Sequence, residues 1–280
     1  MGAWDAWIGR NETREDLVTP GLIARFGATL DRPAKDVAAV PQGLHWCLCL
    51  PDAPTAALGE DGHPRRENSP ASFLPPVPLP RRMWASSSVQ FHAPLLPNAP
   101  VRRVSTIAAI SEKSGSTGAL VFVDVDHQTE IAGTVAIEER QTIVYREATT
   151  TPPAPRPADQ APDLALWHWH RALMPSEALL FRYSALTFNS HRIHYDLPYA
   201  VNEERYRGLV VQGPLMATLL LDLAARELGD NRLSRFAFRG QSPAISGEPL
   251  FLVGRQEGSQ ISLAALGGDG RMVMSAEASL

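Results

Sequence analysis

Cysteine is nearly absent. Cys47 and Cys49 are the two in 280 residues, and on an expected strand they share a face at a spacing that does not suit a disulfide, so no disulfide framework holds this chain. Long apolar runs are missing too. The richest stretch, Leu215 to Ala225, contains Thr218 and Asp222 and falls short of the roughly 20 residues that cross a bilayer. Positive charge is scarce: 26 Lys and Arg against 30 Asp and Glu leave a net charge of −4, without the field that drives backbone binding to DNA or RNA. Neither nucleic acid nor membrane is an expected partner. The opening Met1-Gly2-Ala3-Trp4-Asp5 has no basic leader, and Ala6 stands where a myristoylation signal has Ser or Thr, so the expected location is cytoplasmic.

Apolar residues make up 44% of the chain and charged residues 20%, enough for folded cores, and the length suits two units. Proline is uneven: of 24, eleven fall between Pro51 and Pro100 and five between Pro152 and Pro162, in segments that cannot hold long helices or central strands. The second cluster reads as an extended linker, which divides the chain into 1–147, a linker at 148–165, and 166–280. Each side repeats a crude pattern of a helix followed by strands. Thr19-Pro20 caps and opens a helix through about Leu30, and Leu44 to Leu50 reads as a short strand. Met83 to Phe91, Val101 to Ser111, Gly118 to Asp126 and Glu130 to Tyr145 read as an antiparallel meander. In the second half Gly213-Pro214 starts a helix, apolar on several faces, that ends near Gly229. Strands follow at Leu233 to Phe238, Pro249 to Arg255, Ser259 to Leu266 and Arg271 to Ala278. A curled antiparallel sheet around a long helix, occurring twice, is an α+β arrangement of the hot-dog kind.

Chemistry concentrates between Phe181 and Ala200, where Asn189, His191, Arg192, His194, Tyr195 and Asp196 lie close together before a Pro turn. Thr187-Phe188-Asn189-Ser190-His191-Arg192-Ile193-His194, with Asp196 and Ala200 in register, resembles the Ser-Gly-Asp-x-Asn-Pro-Leu-His hallmark of the MaoC-like hydratases, the R-specific hydratase 2 family. The form Phe-Asn-x-His-Arg-Ile-His-Tyr-Asp, with Arg182-Tyr183-Ser184-Ala185 before it and Gly208 to Leu215 after it, resembles one branch of that family. That branch comprises mesaconyl-C4-CoA (3-methylfumaryl-CoA) hydratases, with itaconyl-CoA hydratases and mitochondrial 3-hydroxyacyl-thioester dehydratases nearby. Trp7-Ile8-Gly9-Arg10 and Pro80-Arg81-Arg82-Met83-Trp84-Ala85 are similar to its N-terminal half. The resemblance implies a double hot-dog fold with the motif in the second half alone. It also implies an acyl-CoA substrate entering between the halves, and reversible hydration of a short, branched, unsaturated dicarboxylyl-CoA. The family's catalytic Asp falls on Asn189 and its catalytic His on His194.

Water adds to an enoyl thioester only if a base activates it and something stabilises the enolate. His194 can serve as the base, since a neutral imidazole takes and returns a proton near pH 7. Asn189 can hold the water but cannot ionise. The N–H of Gly213, at a helix start, suits the enolate oxygen, and Pro214 offers no competing donor. Gln212 stands where the family often has His, and can donate a hydrogen bond. A free substrate carboxylate would pair with Arg192 or Arg182, Tyr195 is a further substrate-binding candidate beside them, and Arg205, Arg207, Arg239, Arg81 and Arg82 are candidates for the CoA phosphates. No cofactor is expected beyond the CoA of the substrate, and a homodimer is left open.

Competing readings are a straight-chain 3-hydroxyacyl-CoA or acyl-carrier-protein dehydratase, a thioesterase, or a non-catalytic acyl-CoA sensor. Trp167-His168-Trp169-His170 lacks a companion ligand set and reads as packing, so no metal is expected. Gly267-Gly268-Asp269-Gly270 and Lys113-Ser114-Gly115-Ser116 read as hairpin turns rather than phosphate cradles. The central expectation is geometric: the His194 imidazole and the helix start at Gly213 share one cavity.

Overall fold

The computed structural model describes residues 3–32, 40–67, 69, 72–115, 118–148, 155–156 and 162–280. Most of the expected linker, and residues 116–117 of the first glycine-containing turn, lie outside them.

Strand β1 (Asn11–Leu17) leads into α1 (Pro20–Thr29), where Thr19 accepts the Leu22 N–H and Pro20 occupies the first turn, as the Thr-Pro pair requires. The first half then supplies β2 (Arg81–Phe91), β3 (Pro100–Gly115), β4 (Gly118–Ile131) and β5 (Thr134–Arg146). The second supplies β6 (Trp169–Leu173), α2 (Glu177–Leu186), α3 (Leu197–Asn202), α4 (Gly213–Leu228), β7 (Arg235–Gly240), β8 (Leu250–Glu257), β9 (Gln260–Gly267) and β10 (Met272–Ser279). All ten strands form one antiparallel sheet in the order β1-β3-β4-β5-β2-β7-β10-β9-β8-β6. The two halves therefore meet strand to strand, with Ser87 of β2 opposite Phe238 of β7.

Helix α4 decides where the second half's core sits. Every residue from Leu215 to Ala224 is buried, Thr218 and Asp222 included, because β8, β9, β10 and β6 enclose it and β2 closes the remaining side. It begins at Gly213-Pro214 and stops at Gly229, whose φ of 92° L-residues rarely adopt. Among the described residues the first half has no helix as long as α4. Helix α1 packs on α2, while Val77, Ile107, Val123, Val125 and Tyr145 are covered by Trp4, Trp7, Phe73, Leu74 and Leu79. Coil from the Pro-rich segment, together with the N-terminal turn around Asp5–Trp7, thus covers this face.

Two expectations are corrected. Leu44 to Leu50 is a 3-10 turn over Leu44–Cys47 rather than a strand, because Gly43 (φ 94°) and Cys49 (φ 53°) break extended backbone on either side. Both cysteines are buried and free, and burial pushes the Cys47 thiol up to about 12. His168 and His170 face solvent; it is Trp167 and Trp169 that pack. Asp269 and Gly270 do form the β9–β10 turn, with Gly270 N–H donating to Gly267 O at 2.9 Å. No helix among the described residues is long and apolar enough to cross a membrane.

Asp222 ties β6 and the segment after α1 to α4. Its carboxylate, 1% exposed, meets Arg32 at 3.2 Å, Arg171 of β6 at 2.9 Å and Arg226 at 2.7 Å. Removing it leaves three guanidinium groups facing one another around a buried gap. Asp222→Ala is expected to lower unfolding free energy by about 2–3 kcal/mol, less than for a wholly buried pair, since Arg171 and Arg226 retain some solvent. Urea denaturation checks this, and a loss below about 0.5 kcal/mol would show that the network contributes nothing net.

Candidate active site

The polar segment after α2 is placed by short-range hydrogen bonds. Thr187 Oγ1 donates to Tyr183 O at 2.8 Å, Asn189 N–H to Ser184 O at 2.9 Å, and Asn189 Oδ1 accepts the His191 N–H at 3.0 Å. A 3-10 turn over Arg192–His194 follows, and then α3, capped by Asp196. Val210 fixes the turn from the other side. Its N–H donates to Ile193 O at 2.9 Å, and its carbonyl lies 2.7 Å from His194 Nδ1.

That last contact sets the tautomer. A carbonyl only accepts, so Nδ1 carries the proton and Nε2 keeps the lone pair. Because Val210 lies three residues before Gly213, the imidazole is tied to the approach to α4. His194 and Gly213 both line one cavity of about 2060 Å³, larger than the roughly 300–1,000 Å³ of ordinary small-ligand pockets. Gly213 sits in the first turn, where its N–H has no intrahelical acceptor. A Cβ there would meet nothing nearer than the Trp84 carbonyl at 3.8 Å, so the protein does not itself demand glycine. A β-bulge between Trp84 and Ser86 bends β2 at this point, next to the helix start.

Asn189 and Tyr195 line the same cavity. Asn189 Oδ1 is committed to His191, which leaves its amide N–H groups for a ligand. Gln212 also lines it, but its Nε2 donates inward to Leu180 O and Ser184 Oγ, both at 2.9 Å. What it retains is Oε1, buried without a partner, so the expected donor offers an acceptor instead.

The predicted carboxylate-binding arginines are elsewhere. Arg182 is exposed on α2, away from the cavity lining. Arg192 turns aside because Asp196 takes its Nε at 2.9 Å and Nη2 at 2.7 Å, Tyr199 stacks beneath it at 4.1 Å, and its Nη1 donates to Glu60 O at 2.9 Å. Among the phosphate candidates, Arg81 is buried against Glu204 at 2.8 Å, and Arg207, half-buried at the cavity wall, is paired with Glu248. Arg239 is exposed off the cavity, whereas Arg82 and Arg205 line it.

Sequence reasoning missed His63. The loop Glu60 to His63 docks on the motif: Arg192 N–H donates to Asp61 O at 2.9 Å and Ser190 Oγ to Gly62 O at 2.6 Å. Asp61 accepts the His63 N–H and Nδ1–H, each at 3.0 Å. The His63 ring lies 4.2 Å from that of His191, which meets the His194 ring edge-on at 5.4 Å. The Asp-x-His spacing, which suits a local carboxylate-to-backbone turn, was the available signal. Asp61, His63 and His191 bring three donor atoms within 4.8 Å of one another, the one such group among the described residues. Both Asp61 oxygens already accept from His63, and the charge of Arg82 bears on both imidazoles, so the surroundings suit an anion better than a cation. Burial lowers His194 to about 4, partly offset by Val210 and reinforced by His63. Burial, His63 and His194 lower His191 to about 2.

Comparison with known proteins bears on this site. The sequence profile described as Hydroxyacyl-thioester dehydratase type 2 matches residues 43–246. The chain is 44% identical, over 99% of its length and 98% of the relative's, to the mesaconyl-C(4)-CoA hydratase of Chloroflexus aurantiacus. Among solved structures, a MaoC-like dehydratase superposes with a TM-score of 0.75 at 15% identity, covering 99% of each chain. A Mycobacterium tuberculosis protein described as a double hot-dog fold gives 0.62 at 13% identity, covering 98% of this chain and 96% of that one. The fold is the double hot-dog.

Both histidines have folded values below the unfolded imidazole value of about 6.5, so their contribution to stability is complete above that pH and falls away as pH drops toward the folded values. Unfolding free energy is expected to decrease between about pH 6.5 and 4, and His191→Asn to flatten that slope. Urea titrations across the range measure it; an unchanged slope in the variant would place the proton uptake elsewhere.

Proposed function

The chain belongs to the hydroxyacyl-thioester dehydratase type 2 family, and from that premise we propose that it reversibly hydrates a short, branched, unsaturated dicarboxylyl-CoA of the mesaconyl or itaconyl type. Full-length identity to a mesaconyl-C(4)-CoA hydratase supports the substrate class. In this reading 1–147 and 166–280 are two hot-dog units joined through 148–165, the second curled around α4, and the CoA ester occupies the cavity between them. The observation that carries the chemistry is the pairing, in one cavity, of a lone pair on His194 Nε2 with the open first turn of α4.

The thioester oxygen sits at the Gly213 N–H, where the helix dipole favours negative charge. Asn189, through its amide N–H, holds a water against the β carbon. His194 Nε2 takes one proton as the water oxygen bonds that carbon, and the electron pair of the double bond moves to the thioester oxygen. The enolate then collapses, taking the proton at the α carbon from His194, so hydrogen and hydroxyl are both accounted for and the imidazole ends neutral. Asn189 does not ionise, so both transfers fall to His194. Its lowered pKa keeps the base form dominant at neutral pH.

Purified protein incubated with mesaconyl-CoA, itaconyl-CoA and crotonyl-CoA is expected to remove the conjugated double bond of a dicarboxylyl ester fastest. His194→Ala is expected to lower kcat by about 10²–10⁴, and Gly213→Ala to lower kcat with little change in Tm, since a Cβ there meets nothing nearer than the Trp84 carbonyl at 3.8 Å. Full activity in His194→Ala would dismiss the base. Release of free CoA would indicate a thioesterase, and binding without reaction a sensor.

A further inference from the structure

A dicarboxylyl thioester brings a second anionic group into the cavity, and neither Arg192 nor Arg182 is there to receive it. Adjacent residues on a strand point to opposite faces, and Arg81 and Arg82 at the start of β2 show the consequence. Arg81 is buried in the second half, bonded to the Glu204 carboxylate at 2.8 Å, Glu204 O at 2.7 Å and Glu203 O at 3.1 Å. Arg82 turns the other way and lines the cavity.

Most other cavity arginines have fixed partners. Arg14 pairs with Asp52, Arg207 with Glu248 and Arg271 with Asp269, while Arg66 donates to the carbonyls of Val77, Leu79 and Pro80. Among the described residues no carboxylate lies at ion-pair distance from Arg82; its neighbour is the hydroxyl of Tyr145, its register partner on β5. Arg146 and Arg205 also lack such a carboxylate. Arg82 differs from them in position: its charge bears on both His63 and His191, the rings that lead to His194. The nearest acid to these rings, Asp61, has both oxygens engaged by His63 and does not line the cavity. A partly buried guanidinium without a counter-ion is costly, and a planar carboxylate is the group its fork fits.

Substrate chemistry points to the same place. In a methylfumaryl-type thioester the free carboxylate is bonded to the carbon that receives water. With the thioester oxygen at Gly213 and that carbon at His194, the carboxylate projects onward to the histidine-lined side.

We propose that Arg82, at the His63–His191 side of the cavity, is the binding site for the free carboxylate of the substrate and the determinant of dicarboxylyl over monocarboxylyl thioesters. This rests on the dicarboxylyl reading above. A monocarboxylyl ester leaves Arg82 desolvated and unpaired, so selection works through a penalty on the wrong substrate as well as attraction for the right one. The test compares kcat/KM for mesaconyl-CoA and crotonyl-CoA in the wild type, Arg82→Met and Arg82→Lys, with Tm recorded for each. The mesaconyl-to-crotonyl ratio is expected to fall about 10- to 100-fold in Arg82→Met, the loss typical of one hydrogen-bonded charge pair. Arg82→Lys, which keeps charge without the fork, is expected to fall between the two, and serves if the Met variant does not fold. An unchanged ratio, or an equal fall on both substrates, overturns the proposal while leaving hydration intact. A wild type inert toward both substrates instead sinks the reading beneath it.

Discussion

The site depends on one close backbone approach. Gly62, at φ 84°, lies so near Ser190 that a Cβ would stand 1.9 Å from the Ser190 carbonyl oxygen. Only glycine permits both the conformation and the distance. Because the two segments can touch there, Ser190 and Arg192 bond the backbone of Glu60 to Gly62, and His63 is delivered against His191. The first half, which carries no copy of the motif, thereby furnishes a wall of the cavity. Arg192 acts in this seam as a clamp, its charge balanced by Asp196 and its reach used on a carbonyl of the other half.

The asymmetry between the halves explains why a cavity exists at all. In the second half α4 fills the concave face of the sheet, and its apolar side chains leave no room. In the first half coil covers one part of the sheet and α1 leaves to pack on α2. The remaining face lines the cavity with polar side chains, among them His127, Glu139 and Gln141. Glu139 is held down to about 2: burial alone would raise it, but the His45 imidazole 3.6 Å away and the hydrogen bond from Ser87 Oγ outweigh that effect. Among the described residues the first half holds no long helix along its sheet, which leaves space beside it, and the second half brings the start of α4 to that space.

Local signals in the sequence located most of this. Gly213-Pro214 and Gly229 bracket α4 within a residue, and the strands of both halves fall close to their expected places because Gly, Asp and Pro punctuate apolar alternation. The segment around Trp46 misled because it is buried on every side, which erases the period that separates strand from turn. β1 went unseen since its residues, Asn-Glu-Thr-Arg-Glu-Asp-Leu, are mostly exposed and polar. Arg192 and His63 were hidden for another reason. Whether a charged side chain faces a ligand or its own neighbours is decided by a partner far away in sequence: Glu60 lies 132 residues from Arg192. Composition and spacing carry no record of that pairing.

Burial makes His194 a weaker base as surely as it keeps that base deprotonated, and the two effects pull on rate in opposite directions. Nothing acidic contacts its Nδ1; the Val210 carbonyl offers a dipole where a carboxylate would offer a charge. A substrate that carries its own carboxylate on the carbon beside the attacking water alters this balance. Its negative charge, brought within a few ångströms of His194, opposes the desolvation that lowers the imidazole and stabilises the imidazolium as it forms. An uncharged acyl chain in the same place deepens the desolvation. Dicarboxylyl preference and adequate basicity are then two results of one electrostatic arrangement, with a substrate anion completing the charge set that the protein leaves open around Arg82.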